Sequence, residues 1–300
     1  MKPSVFLTIA TITTASLCAE IPIAANAELK LVADGFKFTE GPATDRHGNV
    51  YFTDQPNDRI LKWNATTGKV ETFLEPSGRA NGMDFDKQGF LISCADEKGQ
   101  LQRINIATKE RTTIIENFAG GLLNGPNDVW VRPDGGMYFT DPFYKRPYWK
   151  NRDSPDQKKE RVYFLAAGAK IPVAVEEEFK KPNGIIGSPD GKLLYIADIG
   201  DGKTWRYEIN EDGSLAKRTL FCELGSDGMT IDSSGNVYLT GKEVAVFDKN
   251  GKNLGKIEVP RSWNANITFA GPDHNLLFIT ALDAVFTLEM TVTGSGKPKP

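Results

Sequence analysis

The feature that most constrains the fold is a phrase that recurs six times along the chain. In each copy a turn is followed by a short apolar run that ends near Asp or Thr. The copies occupy residues 46–54, 87–94, 133–141, 189–198, 234–240 and 272–280. The turn positions are Gly48, Gly89, Gly135, Gly191, Gly235 and His274, which lie 41, 46, 56, 44 and 39 residues apart. A mean spacing of about 45 residues is typical of one four-stranded β-propeller blade.

The residues around these turns support a β-structure. Asp-Gly and His-Gly-Asn turns between short runs rich in Val, Ile, Tyr, Phe and Thr predict hairpins. A second β-rich run follows each of the first five turns, at residues 58–63, 99–104, 161–165, 204–207 and 243–247. A radial array of blades leaves only short, protected sheet edges. We therefore predict an all-β fold, a single six-bladed β-propeller domain that spans residues 28–300.

The N-terminus has the order of features found in a secretory signal peptide. A positive start at residues 1–2 precedes an uncharged, apolar or small run at 5–17, and Ala25–Ala27 forms an A-x-A cleavage site. We predict that residues 1–27 are a signal peptide and that the mature chain is exported, either periplasmic or secreted. Cys94 and Cys222 belong to distant repeats, so we predict two buried free thiols rather than a disulfide.

The bulk charge and hydrophobicity exclude some partners. A net charge of −3 leaves no basic footprint of the kind that nucleic-acid binding requires. No apolar run of spanning length follows the predicted signal peptide, so we expect no membrane partner. We expect a small-molecule substrate, and no feature of the sequence indicates an oligomeric state.

Polar residues recur at one fixed offset from the six turns. Eight residues before the turn positions stand Glu40, Asn81, Asn127, Asn183, Asp227 and Asn266. Equivalent positions of six blades form a ring about the axis, so these side chains should meet at one mouth of the central channel. Oxygen donors of this kind suit a hard cation such as Ca²⁺ or Mg²⁺, and the two carboxylates would balance its charge. Asn and Asp also favour turns, but that alternative does not explain Glu40.

Several motifs carry a resemblance to a known family. They are Thr39–Ala43, Gly125–Asp128 with Tyr138–Pro142, Lys181–Gly184 with Ser188–Gly191, and Ser226–Met229. Together they resemble the gluconolactonases, regucalcin (senescence marker protein) and luciferin-regenerating proteins, over nearly all of the predicted mature chain. The resemblance implies a six-bladed propeller with one divalent ion in its channel, Ca²⁺ first and Zn²⁺, Mg²⁺ or Mn²⁺ as alternatives.

The resemblance also implies roles for individual residues. Glu40, Asn183 and Asp227 would be direct metal ligands, and Asn127 would be a ligand or act through water and substrate. Asp227 would also be the general base in the hydrolysis of a lactone or related ester by water. The chain departs from the family at Gly125, where some members have Arg, and at residues 95–99, where many have Glu-His-Gly.

Two alternatives to a lactonase stay open. The same metal site could serve a phosphotriesterase-like hydrolase, or the propeller could be a metal-dependent binding module without turnover. In either hydrolase, Asn81 and Asn266 could hydrogen-bond substrate hydroxyls, or they could be structural.

The longest interval between turns contains an insertion at residues 142–161 that is aromatic and charged. We expect it to wall the pocket, with Tyr144 or Trp149 stacking on a sugar face and Lys145 or Arg146 meeting an acid group. The alternative is a solvated surface loop. Aromatic side chains are costly to leave in water, which favours the wall.

Overall fold

The computed structural model describes residues 20–150 and 152–295. Within these ranges the chain forms twenty-six strands, most of them in six antiparallel four-stranded sheets. The sole helical element there is one 3₁₀ turn, Gln55–Asn57. Nothing helical in this part of the chain is long and apolar enough to cross a membrane. The predicted six-bladed β-propeller is confirmed.

Each of the first three blades runs outward in chain order from an inner strand near the axis. Strand β1 (Lys30–Asp34) precedes them and belongs to the last blade. Blade 1 contains β2 (Thr39–Thr44), β3 (Val50–Asp54), β4 (Arg59–Trp63) and β5 (Val70–Leu74). Blade 2 contains β6 (Ala80–Phe85), β7 (Leu91–Ala95), β8 (Gln100–Ile104) and β9 (Arg111–Ile115). A small hairpin, β10 (Asn117–Phe118) and β11 (Gly121–Leu122), leads to blade 3. Blade 3 contains β12 (Val129–Val131), β13 (Met137–Asp141), β14 (Arg161–Leu165) and β15 (Val173–Glu176).

The last three blades complete the ring. Blade 4 contains β16 (Pro182–Gly187), β17 (Leu193–Asp198), β18 (Lys203–Ile209) and β19 (Leu215–Cys222). Blade 5 contains β20 (Met229–Ile231), β21 (Val237–Leu239), β22 (Val244–Phe247) and β23 (Asn253–Ile257). Blade 6 contains β24 (Asn266–Ala270), β25 (Leu276–Ala281) and β26 (Ala284–Glu289), with β1 as its outer strand. The two ends of the propeller therefore share one sheet, which locks the ring by backbone pairing.

The segment before β1 also lies on blade 6. Ile23 forms a β-bridge with Met290, and the amide of Thr291 donates to the carbonyl of Pro22 at 2.8 Å. Ile21 and Ala27 pack against the apolar cluster between blades 5 and 6. The predicted cleavage after Ala27 falls within this segment and stays a prediction, and residues 1–19 of the predicted signal peptide lie outside the described residues.

The six turns of the repeat share one backbone conformation. The residue at each turn position has a positive φ, between 53° at His274 and 92° at Gly135. Each also donates its amide to the carbonyl three residues earlier, as Gly48 does to Asp45 at 3.0 Å. Glycine takes this left-handed conformation readily, and His274 takes it in the one copy without glycine at the turn.

The hydrophobic core is divided among the interfaces between blades. Six clusters of buried apolar side chains each join two neighbouring blades. Between blades 2 and 3, for example, Ile92 packs with Phe139 and Tyr163. Full burial of such side chains contributes about 1.5–3 kcal/mol each, so the ring is held by face-to-face packing. Cys94 and Cys222 lie in two of these clusters as free, buried thiols, as predicted.

Candidate active site

Five of the six residues at the fixed offset meet in one cavity at an end of the central channel. The cavity has a volume of about 790 Å³. Its lining includes Glu40, Asn81, Asn127, Asn183 and Asp227. Each stands at or just before the start of an inner strand, so five different blades bring one polar group to the same place. The repeat therefore builds the site directly.

Asn266 does not line this cavity. Its Nδ2 donates to Oε2 of Glu40 at 3.2 Å, its Oδ1 accepts the amide of Ile267, and it borders the larger cavity at the other end of the channel. Backbone bonds explain the difference. The amides of Asn127 and Ala265 donate to the carbonyls of Thr140 and Thr280, whereas the amide of Asn266 meets the Thr280 hydroxyl.

The ring position in blade 6 is therefore Ala265, one residue before the predicted one. Blade 6 has six residues from its turn position, His274, to the threonine that pairs with the ring residue. Blade 5 has only five, from Gly235 to Thr240. The side before the turn is also one residue longer, nine from Ala265 to His274 against eight from Asp227 to Gly235, and this displaces the count by one. Ala265 offers no side-chain donor, which leaves this side of the ring apolar.

Two carboxylates face the cavity. Asp227 accepts hydrogen bonds from Asn183 Nδ2 at 2.8 Å on Oδ1 and from Trp263 Nε1 at 2.6 Å on Oδ2. Glu40, only 4% exposed, accepts the amide of Gly41 at 2.7 Å. Burial raises the pKa of Asp227 to about 6. Burial first, and then the charge of Asp227, raises the pKa of Glu40 well above its usual range. A cation between these carboxylates would relieve both effects.

Two amide oxygens in the cavity lack a protein partner. Oδ1 of Asn81 and Oδ1 of Asn183 are buried without a hydrogen bond in the described structure. An unsatisfied buried acceptor costs about 1–3 kcal/mol, and a hard cation accepts such oxygens as ligands. No three His, Cys, Asp or Glu side chains converge anywhere in residues 20–150 and 152–295. The donor set is instead two carboxylates with amide oxygens, and it fits a divalent cation.

The insertion loop, residues 142–160 between β13 and β14, forms one wall of the cavity, as predicted. Tyr144 lines the cavity, and its hydroxyl accepts Nδ2 of Asn183 at 3.1 Å. Arg146 lines it too. Lys145, by contrast, is 62% exposed and pairs with Asp153 at 2.8 Å.

Trp149 takes a structural place within the insertion loop and does not line the cavity. It is 9% exposed, and its Nε1 donates to the carbonyl of Asp96 at 3.2 Å. The guanidinium of Arg152 lies 4.3 Å from the ring. The indole of Trp149 therefore anchors the loop to blade 2. The predicted contact between Trp149 and the substrate is not possible in this geometry, because the side chain does not face the cavity.

Sequence reasoning missed a residue that holds the cavity wall in place. Asp96, buried in the loop after β7, accepts Gln55 Nε2 at 3.1 Å, Arg146 Nε at 2.7 Å and the hydroxyl of Tyr148 at 2.5 Å. Burial raises the pKa of Asp96, although Arg146 opposes this. Asp96 thereby fastens the insertion loop to blade 2.

Trp263 and Arg79 were also missed, although both line the cavity. Arg79 stands two residues before Asn81, as Phe38, another lining residue, stands two before Glu40. Counting ten residues back from each turn, in addition to eight, would have found Arg79. Trp263 lies in the loop before β24, and no fixed count back from the turns would have found it.

Comparisons with known proteins agree with the fold and identify the family. The sequence profile of the SMP-30/Gluconolactonase/LRE-like region matches residues 38–283. A gluconolactonase of Zymomonas mobilis is 27% identical over 282 residues, covering 84% of this chain and 78% of that protein. A 6-deoxy-6-sulfogluconolactonase of Pseudomonas putida is 32% identical over 247 residues, covering 77% and 78%. The structure of a Xanthomonas campestris gluconolactonase superposes with a TM-score of 0.83 at 27% identity, covering 90% and 91%.

Proposed function

Since the chain belongs to the SMP-30/gluconolactonase/LRE-like family, we propose that it hydrolyses a lactone by attack of water on a carbonyl that a divalent cation polarises. The observation that carries the proposal is the convergence of Glu40, Asn127, Asn183 and Asp227 in one cavity. The two relatives differ in the substituent that their names specify, one a gluconolactone and the other its sulfonated form. On the strength of the predicted signal peptide, we propose that the activity is located in the periplasm or outside the cell.

The cation would be held by Glu40, Asn127, Asn183 and Asp227. Bound there, it would supply Lewis-acid polarisation of the lactone carbonyl and stabilise the oxyanion that forms. Ca²⁺ is the first candidate because every donor is an oxygen. Zn²⁺, Mg²⁺ and Mn²⁺ are the alternatives. The unpartnered Oδ1 of Asn183 supports this role.

We assign the activation of water to Asp227. Hydrogen bonds from Asn183 and Trp263 fix both of its oxygens, which holds the carboxylate in one orientation. In its ionised form it accepts the proton of the attacking water. General-base assistance of this kind contributes about 10²–10⁴-fold, equal to roughly 3–5 kcal/mol of the barrier.

Two further residues are placed to orient the substrate. Oδ1 of Asn81 is unpartnered and can accept a substrate hydroxyl when it does not face the cation. The ring of Tyr144 stands on the cavity wall and can lie against the sugar face. Asn266 acts instead on Glu40, whose Oε2 it holds.

Asp227→Asn tests the mechanism. It keeps the shape of the side chain but removes the base, so kcat should fall by at least about 10²-fold with the thermal midpoint retained. Asp153→Asn is the control, because Asp153 is exposed in the insertion loop, pairs with the exposed Lys145 and does not line the cavity. Unchanged turnover in Asp227→Asn would reject the assignment of the base.

Metal dependence and substrate class need separate measurements. Chelation should abolish turnover, and Ca²⁺ should restore it; a rate indifferent to chelator would remove the cation from the proposal. A panel of sugar lactones, aromatic lactones and phosphotriesters separates the hydrolases. Cation binding without turnover of any of these substrates would favour a binding propeller.

A further inference from the structure

One guanidinium at the cavity has a positive charge without an anionic partner. Nη1 of Arg79 donates to the main-chain carbonyls of Gln55 and Pro56, and its Nε is buried without a hydrogen bond. No carboxylate in the described residues forms an ion pair with it. Arg79 is half-buried in the cavity wall, so its charge is partly desolvated, and an anionic ligand would offset that cost.

A second guanidinium stands beside the first. Arg146 uses its Nε to contact Asp96 at 2.7 Å, and its terminal nitrogens have no hydrogen-bond partner among the described residues. The ring of Tyr148 connects the two arginines. It lies 4.8 Å from the guanidinium carbon of Arg79, and its hydroxyl donates to the same Asp96 oxygen that Arg146 contacts. Two donor groups therefore face one side of the cavity.

The surroundings hold Arg79 in place before any ligand arrives. Its backbone has a φ of 57°, a left-handed conformation that side-chain-bearing residues seldom take, and Asp58 accepts its amide at 2.6 Å. Such conformations persist where neighbouring groups enforce them, often at ligand sites. A receptor fixed in advance loses little entropy on binding.

The charges that line the cavity separate into two regions. Glu40 and Asp227 stand together where the proposed cation would lie. Lys37, Arg79 and Arg146 line the remainder, with Lys37 exposed at the rim. Asp96 balances the charge of Arg146, so once a dication neutralises the two carboxylates, Arg79 and Lys37 leave the cavity with a net positive charge. A neutral sugar lactone offers hydroxyl acceptors to these donors but no charge that would complement theirs.

We propose that the substrate is a lactone that carries an anionic substituent, bound by Arg79 and Arg146 while its carbonyl faces the cation. The inference rests on the proposed lactonase function and adds the substrate's charge. Carboxylate, sulfonate and phosphate share the required chemistry, since arginine donates paired hydrogen bonds to each of these planar or tetrahedral oxyanions.

Matched lactones test the preference. D-glucono-lactone is compared with its 6-phospho and 6-sulfo forms and with D-glucaro-lactone, and the favoured anionic lactone should have at least a tenfold higher kcat/KM. Raising the ionic strength should lower kcat/KM for the anionic substrates more than for the neutral one. The ranking among the three anions identifies the substituent.

Arg79→Gln should lower the ratio of anionic to neutral kcat/KM by about 10–100-fold, the value of a charge-assisted hydrogen bond. Arg79→Lys keeps a point charge without the paired donors, so it should fall between Arg79→Gln and the wild type. Lys145→Gln is the control. Lys145 is a solvent-exposed cation next to Arg146 in the insertion loop, and its removal should leave the ratio unchanged.

A binding measurement separates the two proposals. Methyl glucuronide and methyl glucoside differ in the anionic group and contain no lactone, and the first should bind at least tenfold more tightly, with the difference lost in Arg79→Gln. If neutral lactones are hydrolysed and Arg79→Gln leaves the ratio of anionic to neutral kcat/KM unchanged, the proposal of an anionic substrate is overturned and the lactonase proposal stands. Equal binding of the two glycosides overturns the anionic substrate as well. Absence of all hydrolysis together with Arg79-dependent glucuronide binding rejects the lactonase and keeps the anion site.

Discussion

The indole of Trp263 gives the sharpest test of how Asp227 is held. Trp263→Phe keeps an aromatic ring but removes the Nε1 donor, which stands 2.6 Å from Oδ2 of Asp227. Asn183 then supplies the remaining side-chain hydrogen bond to this carboxylate. A hydrogen bond to a charged group contributes about 1.5–3 kcal/mol, which corresponds to about a 10–150-fold loss in kcat/KM.

The loss should depend on pH. Burial raises the pKa of Asp227 and a bound cation would lower it; the bond from Trp263 lowers it as well, because it stabilises the ionised form. Without the donor, the pKa moves further upward, and more of the base is protonated at a given acidic pH. The acid limb of the kcat/KM profile should therefore shift to higher pH, and the deficit should be larger at pH 6 than at pH 8. Proton release in weakly buffered indicator solution, corrected for spontaneous lactone opening, measures this.

Trp205→Phe is the matched control. Trp205 is an indole on β18 that packs against Arg218, among the apolar residues between blades 3 and 4. It should retain kcat/KM within about twofold at both pH values. A Trp263→Phe enzyme that keeps its thermal midpoint, its acid limb and at least a third of its activity at pH 6 would refute the reasoning.

The buried side chains of Asp96 and of the two cysteines give two further predictions. Asp96→Asn weakens the grip on Arg146 and Tyr148, so trypsin should cleave the insertion loop at least tenfold faster while the blades stay intact; equal cleavage would mean that the loop is held elsewhere. Burial raises the pKa of Cys222 to about 11, so about one thiol in a thousand is ionised at pH 8. Cys94 is fully buried with a raised pKa, so a thiol reagent should modify neither cysteine in the native protein and both after unfolding.

The site could be predicted from the sequence wherever it follows the repeat. Glu40, Asn81, Asn127, Asn183 and Asp227 occupy equivalent positions, and rotation about one axis brings equivalent positions together. The prediction was wrong by one residue in blade 6, because pattern counting assumes that each hairpin has the same length. One extra residue before the turn puts Ala265 at the ring position, and Asn266 instead hydrogen-bonds Glu40.

The rest of the site consists of loop residues whose positions the repeat does not determine. Trp263 and Tyr148 reach the cavity from loops between strands, and their positions depend on contacts such as the one from Tyr148 to Asp96. Composition correctly predicted that the insertion loop would wall the cavity, since its aromatics needed cover. Composition could not predict which side chains of the loop face the cavity. In the structure Tyr144 and Arg146 face it, while Trp149 packs inward.

The two departures from the family pattern have one physical explanation. A Cβ at Gly125 would lie 2.6 Å from Oδ1 of Asp96 and 3.2 Å from Cη2 of Trp149, so no larger side chain fits while the insertion loop is in place. Asp96 belongs to the other departing segment, residues 95–99, and it is the residue that fastens the loop. The two changes therefore depend on each other: glycine makes room for Trp149, and the carboxylate binds Arg146. At these two positions the insertion loop packs against the blades, and its Arg146 brings a positive charge to the cavity wall.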